Sequence, residues 1–409
     1  MGPLLLPQWI RISTPSMYLA KRQPLSVLAA SFVAFLLTLA LLPGDASARH
    51  LQCGERVTED VRLDSDLRDC PGVGLAIDAD GVTIDLAGHT IDGTGRGTGI
   101  VNGYGGDGNR GALVRNGTVT GFKVGVRGGG RGFELRRLKV TRNATGGVVL
   151  RGSQCAVVRS TITDNGYGHG ISVLSANGCR IDSNRVSRHL GAGIVASRST
   201  DVTIEDNRVG ASRRAGILLA GTSESTVERN MAFDGEVGIS LFDGSNTNLV
   251  RRNSATMNVT GIALAFGGTG NRIEQNTVSA SKGAAIRLAE TGSGNLVLRN
   301  LVTLSTEEGI RVMDSAALLV EDNAVYDNRG DGIFIDEQDT AGSVIRGNST
   351  NHNGDDGIDA DSGLLTIADN IAEHNADLGI EAAAGVTDGG GNKAVTNGNV
   401  AQCAGVECF

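Results

Sequence analysis

Apolar and polar residues alternate in short runs along most of this chain. One stretch reads Ile204-Glu205-Asp206-Asn207-Arg208-Val209, then a polar turn, then Gly216-Ile217-Leu218-Leu219. Alternation over runs of about five residues is strand periodicity, and helices need amphipathic runs of about ten or more. Ile and Val fill the apolar positions, as β-branched residues do in strands, while Gly, Asn, Asp and Ser fill the gaps with turn chemistry. The unit repeats. Asn184, Asn207, Asn230, Asn253, Asn276, Asn300, Asn323, Asn348 and Asn370 follow at steps of 23, 23, 23, 23, 24, 23, 25 and 22 residues. Gly-Ile pairs from Gly170-Ile171 to Gly379-Ile380 keep the same beat, with only Ala285-Ile286 lacking the glycine. A fixed period of 20–50 residues marks a repeat architecture. Short strands at this period predict a coil that winds once per repeat, stacking parallel strands roughly 4.8 Å apart. Each recurrent Asn then lies over its predecessor at a turn, its amide free to bond the next coil.

The period, the asparagine ladder and the Gly-Ile strand starts resemble the right-handed parallel β-helix family, the superfamily of pectate lyases, polygalacturonases and alginate epimerases. The resemblance spans about residues 72–382. It implies an all-β solenoid, about 12–14 coils by the count of repeats, and a scaffold that hosts many activities. The expected organisation is a signal peptide over 1–48, an N-terminal cap over 49–71, the β-helix over 72–385 and a C-terminal cap over 386–409. Lys21 and Arg22 precede an apolar run from Leu25 to Leu42, and Ala46-Ser47-Ala48 offers a cleavage site, which is a secretory layout. A secreted, periplasmic or cell-surface protein with no membrane span after cleavage, and a monomer, is expected.

The cysteines agree with export. All six follow the cleavage site and fall into local pairs, Cys53 with Cys70, Cys155 with Cys179 and Cys403 with Cys408. Cys155 and Cys179 share a column of adjacent coils; a disulfide and two buried thiols are equally compatible with that placement. Residues 93–111 read as a glycine-rich surface loop around Tyr104, Asp107 and Arg110.

Charge adds the next constraint. The chain carries a net −8, but residues 101–220 hold 18 Lys and Arg against 7 Asp and Glu, and residues 301–409 hold 4 against 20. A basic section on an exported solenoid points to an acidic polysaccharide or cell-surface glycan as partner. With 3% aromatic residues there is little to stack on bases, so nucleic acid is excluded as a partner.

Within the basic section, Arg142, Asp164 and Arg188 lie four places past the asparagine column in successive coils, and Asn143, Asn165 and His189 five places past it. Asn165-Gly166-Tyr167-Gly168-His169-Gly170 carries an extra residue in its turn. Stacking predicts Arg142, Asp164, Tyr167, His169, Arg188 and His189 within roughly 10 Å, with Lys139 and Arg185 projecting nearby. Such a set suits uronate elimination or C5 epimerisation: a cation neutralises the substrate carboxylate, and His169 or Tyr167 moves the C5 proton. Gly168-His169-Gly170-Ile171-Ser172 also resembles a polygalacturonase motif, although the aspartate pair Asp355-Asp356 comes after it. A second candidate is acidic. Asp331, Asp336, Glu337, Asp339, Asp355, Asp356, Asp359 and Asp361 crowd neighbouring turns, with Asp331, Asp356 and Glu308 in one column. No cofactor is required by the sequence, but Asp331, Asp355 and Asp356 form a possible Ca²⁺ site, since a hard cation relieves stacked carboxylates. The alternative to a lyase or epimerase is a non-catalytic surface rod that binds glycans or metals. The chain is also similar to periplasmic β-helices associated with copper supply, but it lacks the Met and His clusters that soft metals prefer.

Overall fold

A computed structural model describes residues 48–103, 107–336 and 340–409 of the chain. The proposed leader over 1–48, except Ala48, and Tyr104, Glu337 and Asp339 lie outside the described residues. The described unit is all-β, a parallel solenoid of about 15 coils. One sheet holds 16 strands, and a second holds 29, folded so that it supplies two faces of the coils.

A single coil shows how the sequence produces this. Thr203–Glu205, Arg208–Gly210 and Ala215–Ala220 are its three strands. In them Ile204, Val209 and Ile217 point inward and are fully buried. Each sits in register on its equivalents, Ile204 between Ile181 and Val227, Val209 between Val186 and Ala232, Ile217 between Ile194 and Ile239. The stacked side chains merge into one core running from Leu51 to Ala394. The first two strands join through one left-handed residue, Asp206 at φ 55°, with Arg229, Arg252, Gln275 and Arg299 repeating it in later coils. A single left-handed residue costs roughly 1–2 kcal/mol, and the buried asparagine that follows it offsets that cost. Asn207 donates to Ile181 O, Glu205 O and Asn230 Oδ1, and its own backbone N–H donates to Asn230 Oδ1. The same contacts run from Asn184 to Asn392.

Three details depart from the sequence reading. Counted back from Asn184 at the repeat period, Ser160, Leu138 and Asn116 read as members of the asparagine column, but the stacking partner of Leu138 is Gly117, and Asn116 takes the left-handed corner instead. The glycine-rich stretch 93–111 is not all loop, because Thr98–Asn102 is a strand of the 16-stranded sheet. Its glycines hid it: Gly99 lies under Val119 and Gly125 O, where a Cβ would come within 2.3 Å of a neighbour. The segments read as caps also wind with the coils, Glu55–Val57 pairing with Leu75–Ile77, and Cys403–Ala404 with Ile380–Ala382. All three cysteine pairs are disulfides, and Cys155–Cys179 spans adjacent coils with its Cα atoms 4.5 Å apart. No helix among the described residues is long and apolar enough to cross a membrane.

Candidate functional site

The corner between the second and third strands of each coil carries the residues of interest. Arg142, Asp164, Arg188, Ala211, Asp234 and Met257 occupy its left-handed position in successive coils, at φ between 50° and 60°. That conformation aims the side chain out of the stack, so the column decorates one edge of the solenoid. Beside it runs a second ladder: Asn143, Asn165, His189, Ser212, Asn258, Ser281, Ser305, Asn328, Asn353, Asn375 and Asn397, all buried. Asn143 donates to Asn165 Oδ1, and Asn353 to Asn375 Oδ1, as in the first ladder.

His189 belongs to this ladder and corrects the sequence reading. It is 1% exposed, with Nδ1 3.3 Å from Asn165 O and Nε2 3.1 Å from Ile162 O. A neutral imidazole donates through one nitrogen only, so only one of these two contacts is a hydrogen bond. Burial nonetheless pushes its pKa below the usual histidine value against the pull of both carbonyls. The ring is a buried rung of the stack, and the residue borders a groove along the edge.

The other members of the predicted cluster are engaged with different partners. Arg188 grips Asp164 with two parallel bonds, Nε to Oδ1 at 2.6 Å and Nη2 to Oδ2 at 2.7 Å. That fork holds the Asp164 carboxyl below its ordinary pKa. His169 is half-buried and its Nδ1 accepts the Ala192 N–H at 2.9 Å. Burial first, then Arg214 and His189, lower its pKa, so the neutral ring carries its proton on Nε2 and has no free lone pair for proton abstraction. Tyr167 is 82% exposed at the tip of its turn. Gly166 and Gly168 press that turn onto the coil below, where a Cβ on either would fall 1.8 Å from a carbonyl oxygen of Ala144 or Thr145. Arg142 lines a different hollow, with Asp66, Asp69 and Asp92. Lys139 and Arg185 do share one outward row, Lys139, Thr161, Arg185 and Arg208 being successive register partners.

What the edge does form is a groove of about 690 Å³ across the coils of Arg188, Arg213, Glu236, Met257 and Lys282. Leu190, Met257 and Val259 are exposed along it. Beyond Lys282 a further hollow carries on past Arg287 and Arg311. Sequence reasoning missed Arg213 and Lys282. The column that holds Arg188 was visible, but Arg213 and Lys282 sit two positions further along their turns.

The acidic cluster is assembled as the spacing implied. Carboxylate oxygens of Asp331, Asp355 and Asp356 lie within 4.8 Å of one another, as do those of Asp356, Asp359 and Glu381. Asp331 Oδ1 accepts the Asp356 N–H, and Asp356 Oδ1 the Leu378 N–H. Burial above all, then the neighbouring carboxylates, lifts Asp331 to about 6, Asp359 to about 7 and Asp356 to about 8. Oxygen donors at this separation fit a hard cation such as Ca²⁺; without one, the cluster shares protons.

Residues 123–278 and 263–408 match the family described as right handed beta helix region. Among solved structures, the periplasmic alginate epimerase AlgG superposes with a TM-score of 0.51 at 14% identity, over 73% of this chain and 79% of that one. The A-module of the mannuronan C-5 epimerase AlgE4 from Azotobacter vinelandii gives 0.52 at 16% identity, over 78% and 89%. At these identities the likeness is one of fold. No curated protein matches the chain in sequence.

Proposed function

The chain belongs to the right-handed β-helix family, and on that premise we propose that it binds an anionic polysaccharide laid along the edge groove, parallel to the solenoid axis. The observation that carries this is a set of unspent cations. Several arginines on neighbouring coils are matched to carboxylates, Arg180 to Glu205, Arg229 to Asp206 and Arg251 to Glu228. Arg213 and Lys282 in the groove, and Arg185 and Arg208 beside it, enter no such pair among the described residues. Asp234 and Glu236 also line the groove, so the excess positive charge that attracts a polyanion lies on its Arg185 and Arg208 side. The exposed Leu190, Met257 and Val259 supply apolar surface for the C–H faces of sugar rings, and the coil rise of roughly 4.8 Å is close to the repeat of an extended hexuronan. Two proteins of the same fold are epimerases of alginate and of mannuronan. Three disulfides suit an oxidising compartment, so the site of action is extracellular or periplasmic.

The proposal is binding rather than proton transfer, because His169 has its basic nitrogen engaged and Tyr167 stands clear of the groove. Affinity electrophoresis tests it. Migration should be retarded by alginate or pectate in the gel and not by neutral dextran, and the retardation should fade as salt rises. Equal mobility in all three gels would refute the reading.

A further inference from the structure

We infer that a small pocket next to the groove is a subsite for one compact oxyanion of the bound polymer, a carboxylate or a sulfate ester. The inference rests on the groove being a polysaccharide site and adds a point of selectivity to it. The pocket has a volume of about 240 Å³ and is lined by Arg185, Arg188, Arg208, Gly210 and Phe233. Arg188 also lines the groove, so the two concavities share one wall, and the ion pair to Asp164 fixes that wall in place.

Two features mark the pocket as built for an anion. The first is uncompensated charge. Arg185 and Arg208 are direct register partners on adjacent parallel strands, and like charges so placed repel. On the adjacent coil Arg229 is instead surrounded by carboxylates, contacting Glu205, Asp206 and Glu228. Arg185 and Arg208 have no carboxylate between or beside them among the described ion pairs, so an anion entering the pocket would meet two unneutralised guanidinium groups. The second is the wall opposite. Phe233 lies across the strand at Gly210, where a Cβ would stand 2.3 Å from the ring. Only glycine leaves room for it. The ring in turn takes the Arg208 guanidinium at 4.3 Å from its centroid. Cation–π contact uses the face of the guanidinium and spares its in-plane N–H donors, which are the groups that grip carboxylate and sulfate oxygens. One of them touches Met231 Sδ.

The test is titration of wild type, Arg208→Ala, Arg208→Lys and Gly210→Ala with three oligosaccharides of equal length, one uronate, one sulfated and one neutral. Wild type should prefer a charged oligosaccharide. Arg208→Ala should weaken that binding about 10-fold, the size of one charge-assisted contact, and leave the neutral one unchanged. Arg208→Lys should fall between, and Gly210→Ala, which displaces Phe233, should follow Arg208→Ala. Loss in the uronate arm alone assigns a carboxylate, and loss in the sulfated arm alone a sulfate ester; either supports the pocket. If wild type binds charged sugars and all three variants bind them as well, the pocket is refuted while the groove stands. If wild type binds none of them, both fall together.

Discussion

Replacing Asn230 by alanine is expected to destabilise the solenoid by roughly 3–5 kcal/mol, more than most single substitutions. Asn230 is almost fully buried, and every polar atom of its side chain is engaged. Its amide donates to Ile204 O, Glu228 O and Asn253 Oδ1. Its Oδ1 accepts both the backbone N–H and the side-chain amide of Asn207. Alanine removes one group and strands several in places water does not reach, each costing about 1–3 kcal/mol. Part of that returns as the neighbours relax. Because a solenoid's coils contact only their neighbours, the damage should be local first. Amide exchange should accelerate around Asn207 and Asn253 before it does at either end. A loss below about 1 kcal/mol in denaturant titration would mean the asparagine column is ornament rather than frame.

The second large effect concerns pH. Asp331, Asp356 and Asp359 have pKa values raised in the folded state to about 6, 8 and 7, against about 3.9 in an unfolded chain. Groups raised in this way bind protons more tightly when folded. Their contribution is full below about pH 4 and drains away as pH climbs through 6 to 8. In the presence of a chelator, thermal stability should therefore be higher at pH 5 than at pH 8. Asp356→Asn keeps an oxygen for the Leu378 N–H and removes the charge, so it should stabilise the protein at pH 8 by about 2–3 kcal/mol and flatten the slope. Millimolar Ca²⁺ at pH 8 should restore stability to wild type and give the variant less. Thermal melts of both proteins at the two pH values, with and without Ca²⁺, check this. A wild-type curve that rises from pH 5 to pH 8 in chelator contradicts the direction of these shifts.

Much of the fold was legible because the first ladder tolerates few substitutes. Only a side chain that donates and accepts at the same height can bridge successive corners, so asparagine recurs and the period shows. The second ladder was harder to see. Its occupants vary between Asn143, His189, Ser212 and Asn258, and in three coils that variety resembled a reactive cluster. His189 was misread for that reason; the recurrence of Asn328, Asn353, Asn375 and Asn397 in the same column was the signal that could have placed it. A third ladder, Ser225, Asn248, Asn271 and Asn295, went unread although it runs beside Val202. The cysteine pair sits in that same column, Cys179 one coil before Val202 and Cys155 two. The acidic cluster was legible because its members stack at whole-coil spacing. The groove was not. It depends on how far each turn stands out and on which cations find partners, and neither property is periodic. Arg188 looked free in sequence but is tied to Asp164, while Arg213 and Lys282, unnoticed there, are the charges left unspent.

The central claim is that those unspent charges hold a polyanion along the edge. Calorimetric titration with an alginate oligosaccharide at low and physiological salt, on wild type and on Arg213→Glu with Lys282→Glu, tests it most directly. Both substitutions are on exposed turn residues outside the two ladders, so the fold should persist. The account predicts measurable binding that weakens with salt in wild type, and a loss of at least 10-fold in the double variant. Binding that is unchanged by reversing both charges, or no binding by wild type at low salt, would contradict it.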